Sequence, residues 1–132
     1  MVRAEKVTLR LIGYWQGPMA QDWPDVHDFV DPDWDAEERE AVGEYLATGV
    51  VFRGFGGVST CRFCGEPNGA LELTDGQWYW PDGLQHYVTE HDVRLPNAFV
   101  SYVLARMDEL EVVERDVDWW RSQSPAKDAD GT

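Results

Sequence analysis

The sequence predicts a single small α+β domain, and three observations predict it. Short alternating apolar runs sit beside Gly- and Pro-rich turns, two longer stretches carry helical apolar spacing, and a Cys/His set brackets one of the turns. At 132 residues the chain has the size of one ordinary domain and is long enough to bury a core. Seven tryptophans, five tyrosines and five phenylalanines supply bulky core material, which argues against wholesale disorder. We expect the domain to span 1–121 and a flexible polar tail to follow over 122–132.

Val7, Leu9 and Leu11 alternate with Thr8, Arg10 and Ile12, the pattern of a first strand reaching Tyr14 and Trp15 and stopped by Gly17-Pro18. Residues 16–35 hold three prolines and six aspartates without a sustained period. They read as an irregular surface segment pinned by Trp23, Phe29 and Trp34. Asp35 with Glu38 fits a capping box, acidic residues crowd the following turn, and Gly49 is placed to end a helix over 36–48 with Val42, Tyr45 and Leu46 on one face. Val50, Val51 and Phe52 begin a second strand, and glycines 54, 56 and 57 bend the chain before the cysteines.

Leu71–Leu73 and Gln77–Trp80 flank Thr74-Asp75-Gly76, a hairpin signal because Asp-Gly tolerates the positive φ of tight turns. Trp78 and Trp80 share one face of that hairpin and point to the core. Pro81 suits the first turn of a short helix through His86. Phe99, Val103, Met107 and Leu110 keep helical spacing over 98–111, with that stripe on the core. Val112 to Trp120 is apolar without a clear period.

The set Cys61, Cys64, His86 and His91 has the spacing C-x2-C-x21-H-x4-H, a Cys2His2 zinc pattern whose long central gap accommodates the hairpin. Four nitrogen and sulfur donors fill a tetrahedral zinc shell and leave no open position, so the expected Zn2+ is structural, one per chain. The metal subregion would run over 59–96. A cysteine turn ending in Gly65, a hairpin and a helix carrying the second ligand pair resembles the treble-clef arrangement, and glycine suits a turn whose backbone N–H groups face thiolates. One departure follows from geometry. Five residues at ~100° each put His86 and His91 about 140° apart on an ideal helix, so the helix must loosen or end near Glu90.

Two other readings of these residues stay open: a redox pair at Cys61 and Cys64, which would want a thioredoxin-like context that the hairpin contradicts, and plain surface histidines. His27, amid aspartates, reads as a solvated or capping residue.

Enzyme motifs come near without matching. Histidines five apart fit neither H-E-x-x-H nor H-x-x-E-H, and zinc deaminases carry H-x-E before P-C-x-x-C, the reverse order of this chain. Asp31, Asp33 and Asp35 imitate the start of a calcium loop, but Ala36 and Val42 stand where glycine and glutamate are needed. The glycines around Gly54 lack the lysine of a phosphate-binding loop.

The formal charge is −14, with ten carboxylates from Asp22 to Glu44 and six from Asp108 to Asp118. A field of that sign repels phosphate backbones, which disfavours a nucleic-acid-binding finger. No run approaches the ~18 apolar residues of a membrane helix and the first residues lack a signal-peptide pattern, so a cytoplasmic location is expected. The words C-R-F-C-G, W-P-D-G-L-Q-H-Y-V and H-D-V-R-L-P resemble those of a family of small, uncharacterised bacterial proteins, over about residues 30 to 120. That resemblance implies one unit of cysteines, histidines and V-R-L-P turn, and no activity.

The reading is a zinc-stabilised acidic protein-interaction module, an adaptor or an inhibitor or immunity-type protein. The alternative is a small enzyme of unrecognised chemistry. A basic protein partner would meet Asp31, Asp33, Glu37 and Glu38, and Trp119 with Trp120 as anchors, although that tryptophan pair could equally fill the core.

Overall fold

A four-stranded sheet packed on helices organises the chain, in a computed structural model that describes residues 7–18, 20–54 and 57–123. The expected strand at the start shrinks to β1 (Arg10–Leu11), and Val7, 74% exposed, stays outside it. A single 3-10 turn (Val26–Phe29) interrupts the Pro/Asp-rich segment. Of that segment's expected pins, Trp34 is buried and Phe29 half-buried, while Trp23 is exposed.

Helix α1 (Ala36–Leu46) starts where the capping box predicts: the Asp35 carboxylate accepts the Glu38 N–H at 3.0 Å, satisfying one of the orphan donors of the first turn. It ends at Leu46, before Gly49. That glycine serves close packing instead, since a Cβ there would fall 2.7 Å from the Trp80 ring and 2.8 Å from Leu73. The chain therefore passes directly over Trp80, whose fully buried indole N–H donates to the Leu46 carbonyl at 3.1 Å.

Strands β2 (Val50–Gly54), β3 (Leu71–Thr74) and β4 (Trp78–Pro81) run antiparallel, and β1 closes the far edge parallel to β4 in the order β1-β4-β3-β2. Pro81 is the last residue of β4, opposite Glu72, and does not open the following helix. The ladder wins because Asp82 N–H still donates to the Leu71 carbonyl one residue further on. Helix α2 (Leu84–Glu90) follows, then α3 (Asn97–Glu111) and α4 (Val117–Arg121).

Val42 and Leu46 of α1, Leu84 and Val88 of α2, and Phe99 and Val103 of α3 meet Leu73 and Trp80 of the sheet in one core. The α3 stripe runs out before its expected end: Met107 is partly buried and Leu110 is 58% exposed. Helix α4 buries nothing. Trp119 and Trp120, 61% and 70% exposed, are surface residues and do not fill the core. The expected flexible tail lies outside the described residues beyond Gln123. Among the described residues no helix is long and apolar enough to cross a membrane.

Candidate metal centre

Both cysteines lie on an excursion between β2 and β3. A bridge between Thr60 and Pro67 closes the base of this knuckle, and Cys61 N–H donates to the Glu66 carbonyl at 3.0 Å. Gly65 sits at φ +72° with open space where a Cβ would point, so its backbone angle and not crowding asks for glycine. The turn it makes lets Gly65 N–H reach the Cys61 carbonyl at 3.0 Å, while Phe63 N–H points to the Cys61 sulfur at 3.4 Å. A backbone donor aimed at sulfur orients that sulfur, as the outer contacts of metal ligands do. Cys61 and Cys64 are free thiols in a turn, without the helix N-terminus of a redox pair.

The histidines come from α2 and its exit. His86 lies in the first turn of α2, and His91 is the residue after the helix, with φ −128° and ψ 19°. The helix ends at Glu90, as the angular offset of the two histidines demands. Asp92 then takes φ +55°, a left-handed conformation that Asp tolerates better than most residues, and Val93 N–H returns to the Tyr87 carbonyl at 3.2 Å. The reversal is fixed from outside. Arg39 pairs with Asp92, Val30 bridges Val93, and Arg94 binds Asp31 at 2.9 Å and the Phe29 carbonyl through its N–H at 2.8 Å.

These elements bring the four predicted donors together: one ligand atom from each of Cys61, Cys64, His86 and His91 lies within 4.8 Å of all the others. Cys64 Sγ is 3.5 Å from His86 Nε2, which is 3.1 Å from His91 Nε2. Such a group is able to hold a metal ion. Phe63 stacks on the His91 ring at 4.9 Å, which fixes that ring's plane, and Tyr87 accepts the Arg62 N–H at 2.9 Å. Burial, with the neighbouring Cys61 thiol adding to it, pushes the Tyr87 phenol above its ordinary value, so it stays protonated. Sequence reasoning missed Tyr87 and Phe63. Their only signal is adjacency to a ligand.

The other singled-out residues do different work. His27 hydrogen-bonds Asp25 at 2.7 Å and packs on Phe63, outside the cluster; it is exposed, as the solvated reading expects, and the cap of the 3-10 turn is Asp25. Asp31 is tied to Arg94 and accepts the Asp33 N–H at 3.0 Å, while Glu38 accepts the Trp34 indole N–H at 3.0 Å. Asp33 and Glu37 remain exposed. Trp119 and Trp120 stand together on the surface with centroids 6.3 Å apart.

With this geometry in hand, comparison of the chain with protein-family models, curated proteins and solved structures returns no significant match.

Proposed function

We propose that the metal is zinc, that it is structural, and that the protein is an acidic protein-interaction module. The observation that carries the reading is the closed set of two cysteines and two histidines gathered within 4.8 Å. Tetrahedral zinc with bonds of ~2.3 Å to sulfur and ~2.0 Å to nitrogen sets neighbouring donors ~3.3 to 3.8 Å apart. The 3.5 and 3.1 Å edges suit that shell, and the widest separation, at most 4.8 Å, asks for side-chain adjustment of about 1 Å. Thiolate and imidazole donors together select zinc over hard cations that prefer oxygen. A shell completed by protein leaves no position for substrate, which supports a structural role.

The partner reading rests on charge. A net −14 with acidic residues concentrated from Asp22 to Glu44 steers a basic protein toward that face. Asp31 and Glu38 already serve Arg94 and Trp34, and the residues offered outward include Asp33, Glu37 and Glu40, with Asp22, Asp28 and Glu44 exposed beside them. The test is capture from native lysate by the metal-loaded chain at rising salt. Enrichment of one basic protein, weakened by salt and by Asp33→Asn/Glu37→Gln/Glu40→Gln, supports the reading. Capture indifferent to those three changes would exclude this surface.

A further inference from the structure

Next to the knuckle, a cleft of about 280 Å³ opens between the segment Gly13–Trp15 and residues 57–68. Its walls are aromatic, from Tyr14, Trp15, Trp23 and Tyr87, and Arg62, Ser59 and Asn68 add polar groups. Concave apolar walls with a few polar groups are the ordinary composition of a small-molecule site.

Arg62 sets the chemistry. It lies between the two cysteines, so its backbone is fixed by the knuckle and by Tyr87. Its guanidinium is held by two carbonyls, Gln16 through Nε at 3.3 Å and Thr60 through Nη1 at 2.9 Å. Carbonyl oxygens orient a guanidinium without neutralising it. Among the described residues Nη2 packs against Gly17 without a hydrogen-bond partner and no carboxylate pairs with Arg62, a state it shares with Arg10, Arg115 and Arg121; what sets Arg62 apart is its place in the wall of the cleft.

A second observation lies in the same wall. Trp15 is 7% exposed, and its Nε1–H is the buried side-chain polar atom without a partner among the described residues. Such orphaned donors are uncommon in native interiors and mark a place for a water or ligand oxygen. An adjoining apolar hollow of about 290 Å³, lined in part by Leu11, Phe29 and Pro96, shares Trp15 and Trp23 with the cleft.

We infer that this cleft binds a small aromatic carboxylate, with the carboxylate on Arg62 and the ring against Tyr14 and Trp23. The ring is called for by the aromatic walls: Tyr14 and Trp23 lie 6.0 Å apart at 41°, and Trp23 keeps an open surface at 42% exposure. A monoanion is called for by the charge balance. One guanidinium meets one carboxylate, whereas a phosphate of higher charge would be repelled more strongly by the net −14 of the chain. The inference is independent of the protein-partner reading, because the acidic residues of that surface do not line the cleft.

The experiment is calorimetric titration of the metal-loaded chain with 3-phenylpropionate and, as its uncharged counterpart, 3-phenyl-1-propanol. Arg62 and Trp23 are both exposed, so Arg62→Gln and Trp23→Ala keep the fold, which circular dichroism verifies. The expected result is saturable binding of the acid, about tenfold or more tighter than the alcohol. Arg62→Gln should bring the two affinities together, and Trp23→Ala should weaken both. No saturable binding of either probe up to about 10 mM, where even ~1 mM affinities would register, or acid binding unchanged in Arg62→Gln, would overturn the assignment.

Discussion

The knuckle and the hairpin are consecutive loops of similar length held by different forces. Between Gly57 and Ala70 the one fully buried residue is Cys61, and the segment closes through backbone bonds and metal donors. The hairpin from Leu71 to Pro81 buries Leu73 and Trp80 in the core. Its turn is tied down by Asp75, whose carboxylate accepts from the N–H groups of Gln77 and Trp78 and from the hydroxyls of Tyr45 and Tyr102, at 2.6 to 2.9 Å. If the Cys/His set is filled as proposed, one segment takes its order from a metal, the other from α1, α3 and the core. Where apolar burial is scarce, a cross-link must replace it.

Removing a metal donor should separate the behaviour of the two loops most visibly. Cys64→Ser, at an exposed ligand whose loss opens no cavity, should release the metal and strip hydrogen-exchange protection from residues 59–70. Metal-binding free energies of about 10–16 kcal/mol in isolated zinc-finger peptides bound the loss from above, and the independent core keeps it smaller here. Amides of Leu73 and Trp80 should keep most of their protection. Simultaneous collapse of both segments would show that they are one cooperative unit.

A smaller effect tests the other side. Asp75→Ala orphans two tyrosine hydroxyls and two turn amides and should cost about 3 kcal/mol, read by denaturant unfolding, with metal content unchanged. The same carboxylate predicts a pH response. Burial pushes its pKa up, but the bonds from Tyr45, Trp78, Gln77 and Tyr102 outweigh burial and hold it below the ordinary value. A folded pKa below the unfolded value of about 3.9 means that this stability is complete above about pH 4. It is lost as pH falls through the folded value. Asp75→Asn should flatten that acid limb of the unfolding profile, and an unchanged limb would place the response elsewhere.

The smallest expected effect is at Gly65. Alanine there meets no neighbour but must hold φ +72°, so Gly65→Ala should cost about 1–2 kcal/mol and weaken metal retention. Competition with a chromogenic chelator checks it. A neutral result would mean that the knuckle relaxes to another turn.

Local chemistry was legible in the sequence and long-range pairing was not. The Asp35 cap, the Asp75-Gly76 turn and the end of α2 at Glu90 follow from side-chain type over a few residues, and the four donors follow from two short pairs, C-x2-C and H-x4-H, whose residue types reveal a shared role across the gap between them. By contrast, Tyr14 donates to Glu72 across 58 positions, Arg39 reaches Asp92 across 53, and Arg94 reaches Asp31 across 63. No window of sequence displays such contacts. They explain why Asp31 reads as a surface charge until Arg94 is placed beside it, and the parallel pairing of β1 with β4, far downstream, is hidden in the same way. Pro81 misled for a related reason: proline suits a helix start and a strand end alike, and the ladder to β3 decides.

X-ray absorption at the metal edge, on untagged protein purified without added metal, tests the metal-held knuckle most directly. A metal-held knuckle requires about one zinc per chain with two sulfur neighbours at ~2.3 Å and two nitrogen neighbours at ~2.0 Å. A shell dominated by oxygen, or a metal-free chain whose residues 59–70 are as protected from exchange as those of the hairpin, would contradict it.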